Sequence, residues 1–525
     1  MNAAMPTVSK TRSFSTVFLI EMWERFGYYG MQALIIYYMV ERLGFQDTPA
    51  NLTWGAASAL IYVAPAVGGW IGDKFFGTRH TMLLGAVVLA IGYALMVVPA
   101  HSSNFLFISL GVIVVGNGLF KANAGNLVRK IYEGDDSKID SAFTIYYMAV
   151  NIGSTFSMLA TPLIKNYFNA PFHGQLTWLL GDNAHNFFGD GLGWHIAFAV
   201  CCVGLLVGLG NYAVMRHTLN HIGSEPDHHP MKFWKLLAVI AGGIVVVFIS
   251  AYILKEQTVA QYFVRIAGLC VLAIFAWLIY SCHRTERAGI IIALILVIET
   301  VFFFIFYQQM STSLNLFALR DVDPVFRLFG AELFTWDPAQ FQALNPLWIF
   351  ALSPILALLY TRAAKRGNDL SIASKFALGF LAVAIGFFIY GAAGHFTTSP
   401  GKTSQWVMVW GYGFGSIGEL LTSGLGLAFV ARYVPARMGG FMMGAYFVAS
   451  GVAQYYGGLV ATAASVPANI TDPVQMMPIY TRLYNWLGVA GVGCTIFALI
   501  VALVLWWLDR KGILKFTQGA SHSAA

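Results

Sequence analysis

The chain has 525 residues, 58% of them hydrophobic and only 10% charged, with a formal net charge of +7. A soluble protein of this length carries about 25% charged residues, so most of this chain must face a medium other than water. Lys and Arg collect in short links between apolar runs, which excludes nucleic-acid binding as the meaning of the positive charge. The runs are apolar all round, which excludes a transmembrane barrel, whose strands alternate.

A membrane-spanning helix needs about 20 apolar residues. The runs at 81–100, 105–120, 236–254, 376–393 and 487–508 are examples. The N-terminus is short and polar and the first apolar run is too long for a signal-peptide core, so no cleavable leader is expected. That first run contains "IEMWERFGYYGMQ", residues 20–32. Glu21, Glu24, Arg25, Tyr28 and Gln32 are spaced i, i+3, i+4, i+7 and i+11, and so share one helix face. A charge at the centre of a span costs about 2.5–3.5 kcal/mol even on a lenient scale. Three of them must therefore face a polar cavity. The plainer alternative is a static salt bridge between helices. Two acids around one base, however, leave a carboxylate that can exchange a proton.

The link after the second span reads "GGWIGDKFFGTRHT", residues 68–81, with glycines for a tight turn and Asp73 and Arg79 to pin it. It resembles the cytoplasmic signature of the major facilitator superfamily. In the fourth span, "GNGLFKANAGN" places Lys121 with Asn117 and Asn123 nearby. A buried lysine is either paired or shifted in pKa, and a ligand carboxylate would suit it. Six spans precede about residue 215. Two more follow at about 233–254 and 259–282, and six run from about 289 to the Trp506–Trp507 pair. The tenth span of the six-plus-six scheme, "YGFGSIGELLTSGLG", holds Glu419 and Ser423 among glycines that favour close helix packing. Two cations, Arg25 and Lys121, in the first half and an acid, Glu419, in the second make a dipolar pair of surfaces suited to a short zwitterion. The five cysteines lie in or at the ends of apolar runs, without metal-ligand spacing or a disulfide framework.

The expected fold is an all-α polytopic membrane protein with fourteen transmembrane helices. Residues 1–216 form an N-terminal six-helix bundle and 217–287 a linker with two additional helices. Residues 288–510 form a C-terminal six-helix bundle and 511–525 a tail. Basic links fall on alternate sides of successive spans, which places both termini in the cytoplasm. Carriers are commonly built from such repeats, with the substrate near the midplane.

The motifs carry a closer likeness. "EMWERFGYYGM" resembles the ExxERFxYY signature of the proton-dependent oligopeptide transporter family. "YYMAVNIGS", "GNGLFKANAGN", "GELLTSGLG", "FYQQMSTSLNLFAL" and "ALNPLWI" are similar to further patterns of that family along the whole chain. The resemblance implies a major facilitator fold and a bacterial symporter of the inner membrane that imports di- and tripeptides with protons. It implies that Glu21, Glu24 and Arg25 couple protons, that Arg25 and Lys121 receive the peptide carboxylate, and that Glu419 receives the amino group. Asn151 and Asn345 would hydrogen-bond the peptide backbone. Tyr28, Tyr29, Tyr62, Ser423 and Tyr446 would line the pocket, although core packing is the simpler role for Tyr29 and Tyr446.

Relatives commonly have an acid before the Gln-Gln of span seven, where this chain has Tyr307, and often Arg where it has Gln32. Loss of both partners together is coherent, because a lone buried charge is costly. The replacement acid is then Asp323 or Glu299, and the sequence reading prefers Asp323. A solvated loop acid beside Arg320 and Arg327 is the plainer account of it. No cofactor, metal, nucleotide or nucleic acid is expected, protons being the coupling ion, and a monomer is expected to function. "SPGKTS" lacks the glycine spacing of a phosphate loop. Competing classes are a carrier of nitrate or amino acids, a non-transporting peptide receptor, a channel and a membrane enzyme. The histidines offer the last of these no nucleophile–base pair.

Overall fold

The computed structural model describes residues 9–100, 102–169, 191–328, 330–365, 371–422, 434 and 439–511. The described residues contain fourteen long helices. The first six are α1 (Lys10–Tyr37), α2 (Asp47–Trp70), α3 (Thr78–Val97), α4 (Ser103–Ile131), α5 (Asp136–Asn169) and α6 (Leu192–Met215). The inserted pair is α7 (Phe233–Lys255) and α8 (Gln257–Ser281). The last six are α9 (Arg284–Tyr307), α10 (Leu344–Lys365), α11 (Ile372–Gly391), α12 (Trp406–Thr422), α13 (Gly439–Ala461) and α14 (Pro473–Arg510). Ten of the candidate spans are long and apolar enough to cross a bilayer by composition alone, and α1 is not among them because its own charges count against it. Large apolar side chains such as Ile244, Val245, Phe248 and Ile249 on α7 are exposed. In a protein that spans a membrane these positions meet lipid.

Two small antiparallel hairpins depart from a purely helical chain. β1 (Val325–Leu328) pairs with β2 (Ala331–Thr335), and β3 (Thr397–Ser399) with β4 (Lys402–Thr403). Both lie in links. Phe326 stacks on Phe334 at 4.6 Å, which fixes the register of the first. Beyond α9 the chain takes a 3-10 turn, Gln308–Ser311, and a short helix, Ser313–Asp321, that completes the span.

The chain divides into two compact units. Unit 1 comprises Met1–Gln261 with Trp336–Pro346, and unit 2 comprises Tyr262–Thr335 with Leu347–Ala525. α7 thus belongs to unit 1 and most of α8 to unit 2. Within unit 1, α2 and α4 touch at their backbones. A Cβ on Gly68 would sit 1.9 Å from the Gly118 carbonyl oxygen, and one on Gly118 would sit 2.6 Å from Ala64 Cβ. Asn123 seals the crossing by donating to the carbonyls of Gly68 at 2.9 Å and Leu119 at 2.7 Å.

After α6 the chain returns to the α2–α3 link. Asp227, buried in a 3-10 turn, accepts from the backbone of Arg79 at 3.1 Å and of Ser224 at 2.9 Å, and its Oδ1 lies 3.0 Å from His80 Nδ1. Arg79 reaches back to the carbonyls of Leu219 at 2.7 Å and Asp227 at 3.0 Å. Gly77 makes the turn at φ 102°, a conformation that side chains rarely adopt. The signature loop is therefore latched to the far end of its own bundle.

Candidate functional site

The polar face of α1 is buried: Glu24 is 0% exposed, Glu21 2% and Arg25 3%. Arg25 Nε lies 3.2 Å from Glu21 Oε1 and also bonds Glu24 Oε2. The guanidinium sits 5.3 Å from the Tyr28 ring, and Tyr28 meets Tyr29 edge to face at 5.1 Å. Gly153 lets α5 approach this level of α1, since a Cβ there would be 2.3 Å from the Met22 carbonyl oxygen. The approach brings Tyr146 within hydrogen-bonding reach of Glu21, to which its hydroxyl donates.

The α2–α4 crossing places Lys121 Nζ 4.5 Å from the Tyr62 ring. Lys121 is near enough to Glu21, Glu24 and Arg25 for their charges to act on one another. The resulting set holds two acids and two bases. Glu21 Oε2, Glu24 Oε1, one Arg25 amino nitrogen and both amide atoms of Asn117 are buried without a hydrogen-bond partner among the described residues. Such atoms are costly to leave unmet. Asn151 is also buried, and its amide donates to the Tyr147 carbonyl at 2.9 Å, one turn back. Asn345 is buried at the start of α10 and belongs to unit 1.

In unit 2, Glu419 is 7% exposed on α12. Its neighbour Gly418 packs α12 on α11, where a Cβ would meet Val383 Cγ2 at 2.5 Å. Tyr446 on α13 is buried beside Phe447, with ring centroids 6.2 Å apart, and Ser450 donates to its carbonyl. Ser423 lies outside the described residues. Tyr307 lines an aromatic cleft with Phe303, Tyr390 and Tyr412. This position offers no carboxylate.

Asp323, the acid that the sequence favours, stands among partners. Its carboxylate pairs with Arg327 and accepts from Val325 N at 3.0 Å and Thr398 Oγ1 at 2.9 Å. Burial alone would raise it, but these bonds prevail and hold it below the ordinary carboxylate range. It joins the two hairpins through Arg327 and Thr398. Glu299, by contrast, is 0% exposed on α9, and neither oxygen has a hydrogen-bond partner among the described residues. The sequence reading missed Asp321, which has the same two properties and feels Lys402 and Arg320. Burial pulls the Lys402 amine down against the opposing pull of Asp321 and Asp323. Standing two residues before Asp323 at the end of an apolar run, Asp321 reads in sequence as one more loop acid. Only the fold distinguishes the saturated acid from the bare one. Tyr146 was missed because a lone tyrosine in an apolar helix gives no signal.

Residues 79–483 match the POT family. The chain is 39% identical over 512 residues to the dipeptide and tripeptide permease B of Salmonella typhimurium, covering 97% of this chain and 98% of the relative. Among solved structures it is similar to the tetrameric transporter PepTSo2, with 60% identity, a TM-score of 0.84, and coverage of 95% of this chain and 100% of the other. It also resembles a POT family transporter in complex with 5-aminolevulinic acid, at 26% identity and a TM-score of 0.75, covering 94% of this chain and 96% of that one.

Proposed function

The chain belongs to the POT family, and we propose that it imports di- and tripeptides together with protons by alternating access. The observation that carries this reading is the buried set of Glu21, Glu24, Arg25 and Lys121, whose charges sum to zero while several of its polar atoms lack partners. Adding a proton to one acid leaves the set with one net positive charge. A peptide carboxylate entering at Arg25 and Lys121 restores neutrality. Each ligand therefore lowers the cost of the other, which is the reciprocal coupling a symporter needs. Glu419 supplies a buried carboxylate for the peptide amino group, and Asn151 and Asn345 supply amides for its backbone. Glu299 and Asp321 are the acids we assign to span seven in place of Asp323. The driving force is the proton gradient, whose electrical part is about 2.3 kcal/mol per charge per 100 mV.

The charge distribution supports cytoplasmic termini and the inner membrane as the location. We also propose that a single chain carries out transport. The decisive experiment is uptake of labelled dialanine into proteoliposomes with an acidic exterior and a negative interior. Accumulation above equilibrium that a protonophore abolishes is the expected result. Binding without accumulation would replace the carrier with a receptor. Absence of binding would redirect the cluster to another small solute.

A further inference from the structure

Tyr93 on α3 is 0% exposed, and its hydroxyl is buried without a hydrogen-bond partner among the described residues. Such a group costs stability unless something meets it. The helix that carries it is fixed on two sides. Gly92 packs α3 on α4, where a Cβ would lie 2.6 Å from Ile113 Cγ1, and Cys202 of α6 donates to the Ala90 carbonyl at 3.4 Å. The Tyr93 ring presses on Gly27 of α1. A Cβ there would sit 2.8 Å from Tyr93 Cε2 and 3.4 Å from Cδ2, so the hydroxyl-bearing end of the ring is the nearer. Gly27 stands three residues after Glu24, on the same helix face. Glu24 Oε1 is bare as well, because Arg25 takes Oε2. The two groups are near enough for the Glu24 charge to act on the phenol.

We infer that Tyr93 is a positioning residue for proton coupling, whose phenol oxygen accepts the carboxyl hydrogen of Glu24 when that acid is protonated. The inference rests on the reading of Glu24 as an acid that takes the coupled proton. While Glu24 is paired with Arg25 it is an ionised acceptor, and the Tyr93 hydroxyl gives it nothing. Once protonated, Glu24 no longer holds Arg25 by charge and has a hydrogen of its own to place. The groups around it differ in what they offer. Arg25 and Lys121 only donate. Glu21 already accepts from Arg25 and from Tyr146 of α5. Tyr28 lies against the guanidinium, and Cys201 of α6 has its sulfur against Gly30, one turn beyond Gly27. Tyr93 is the neutral hydroxyl with both of its capacities open, and it is a cost to the resting protein that the protonated state turns to use.

The test is Tyr93→Phe in the full chain, which keeps the ring on Gly27. Removing an unpartnered hydroxyl is expected to leave the melting temperature in detergent unchanged or higher, whereas a purely structural role predicts a fall. Infrared spectra recorded without peptide follow the carboxylic acid C=O band that is missing in Glu24→Gln. In Y93F this band is expected to move toward the frequency of a free acid. Its pH of half-formation is expected to fall by at least about half a unit, about a threefold loss of proton affinity. The pH profile of dialanine uptake should shift to acid by the same amount. A band and a half-point unchanged from the wild type would overturn the inference. Should Y93F not fold, 3-fluorotyrosine introduced at position 93 decides, because it keeps ring and hydroxyl but weakens the oxygen as an acceptor. The band should move in the same direction, and an unmoved band would overturn the inference. The absence of a Glu24 band at every pH would remove Glu24 as the proton acceptor, and Tyr93 with it. A shifted band in a protein that takes up no dialanine would fail the peptide assignment and leave the role of Tyr93 standing.

Discussion

Arg25 meets both acids through a single nitrogen and leaves an amino nitrogen without a partner. On the proposed mechanism, that asymmetry lets it exchange an internal carboxylate for a substrate's. Glu24→Gln removes the protonatable group while preserving shape. We expect pH-driven accumulation of dialanine to fall by about 5–150-fold, the range of ordinary coupling energies, while peptide exchange across the membrane survives. Intact accumulation in this variant would sink the coupling role. For span seven, Glu299→Gln and Asp321→Asn should each alter the pH profile of uptake, whereas Asp323→Asn should leave the profile alone and lower thermal stability. Asp227 allows a sign to be worked out. Burial would raise its carboxyl, but the bonds from His80, Arg79 and Ser224 outweigh burial and hold it below the free value of 3.8. Its contribution is therefore complete above that value and is lost only as the pH falls through the lower folded one. Asp227→Asn should lower the melting temperature in detergent at about pH 8, where the carboxylate is fully ionised. An unchanged melting temperature there would contradict the assignment.

At the scale of helices, what was legible in the sequence was what is expensive. Charges in α1 and α4 are costly in lipid, so Glu21, Glu24, Arg25 and Lys121 announce a polar interior by residue type and spacing alone. Glycine spacing announced close packing, and the α2–α4 crossing fulfils it. Gly68→Ala should force these backbones apart and cost about 1–3 kcal/mol, as overpacking usually does. The expected readout is a lower melting temperature together with weaker uptake, since the same crossing seats Lys121 over Tyr62. Other features were not legible because nothing local marks them. The capping box at Asp337 and Gln340 reads as an ordinary loop signal, and its partners stand some 170–180 positions earlier on α5. Asp321 and Asp323 differ in sequence only by position, and the contrast between them arises from hairpins that no periodicity foretells.

On the scale of the whole chain, six spans, an inserted pair and six more spans were readable from apolar run lengths and the alternation of basic links. The assignment of chain to compact units was not. Contact between distant segments decides it, and it divides α7 from α8 and sends Trp336–Pro346 back to unit 1. A fragment ending at residue 261 lacks that segment. It would leave Lys165 buried without Asp337, and Ala33 and Met158 without the cover of Ala343. We expect such a fragment to accumulate poorly when expressed alone and to recover when the remainder is co-expressed, as judged by fluorescence-detected gel filtration. The same dependence constrains recombination between relatives. A chimera that takes its first half from one parent and its second from another mixes ancestries across these contacts. Crossovers that keep the 159–166 and 336–343 stretches from a single parent should therefore yield more folded protein than those that separate them.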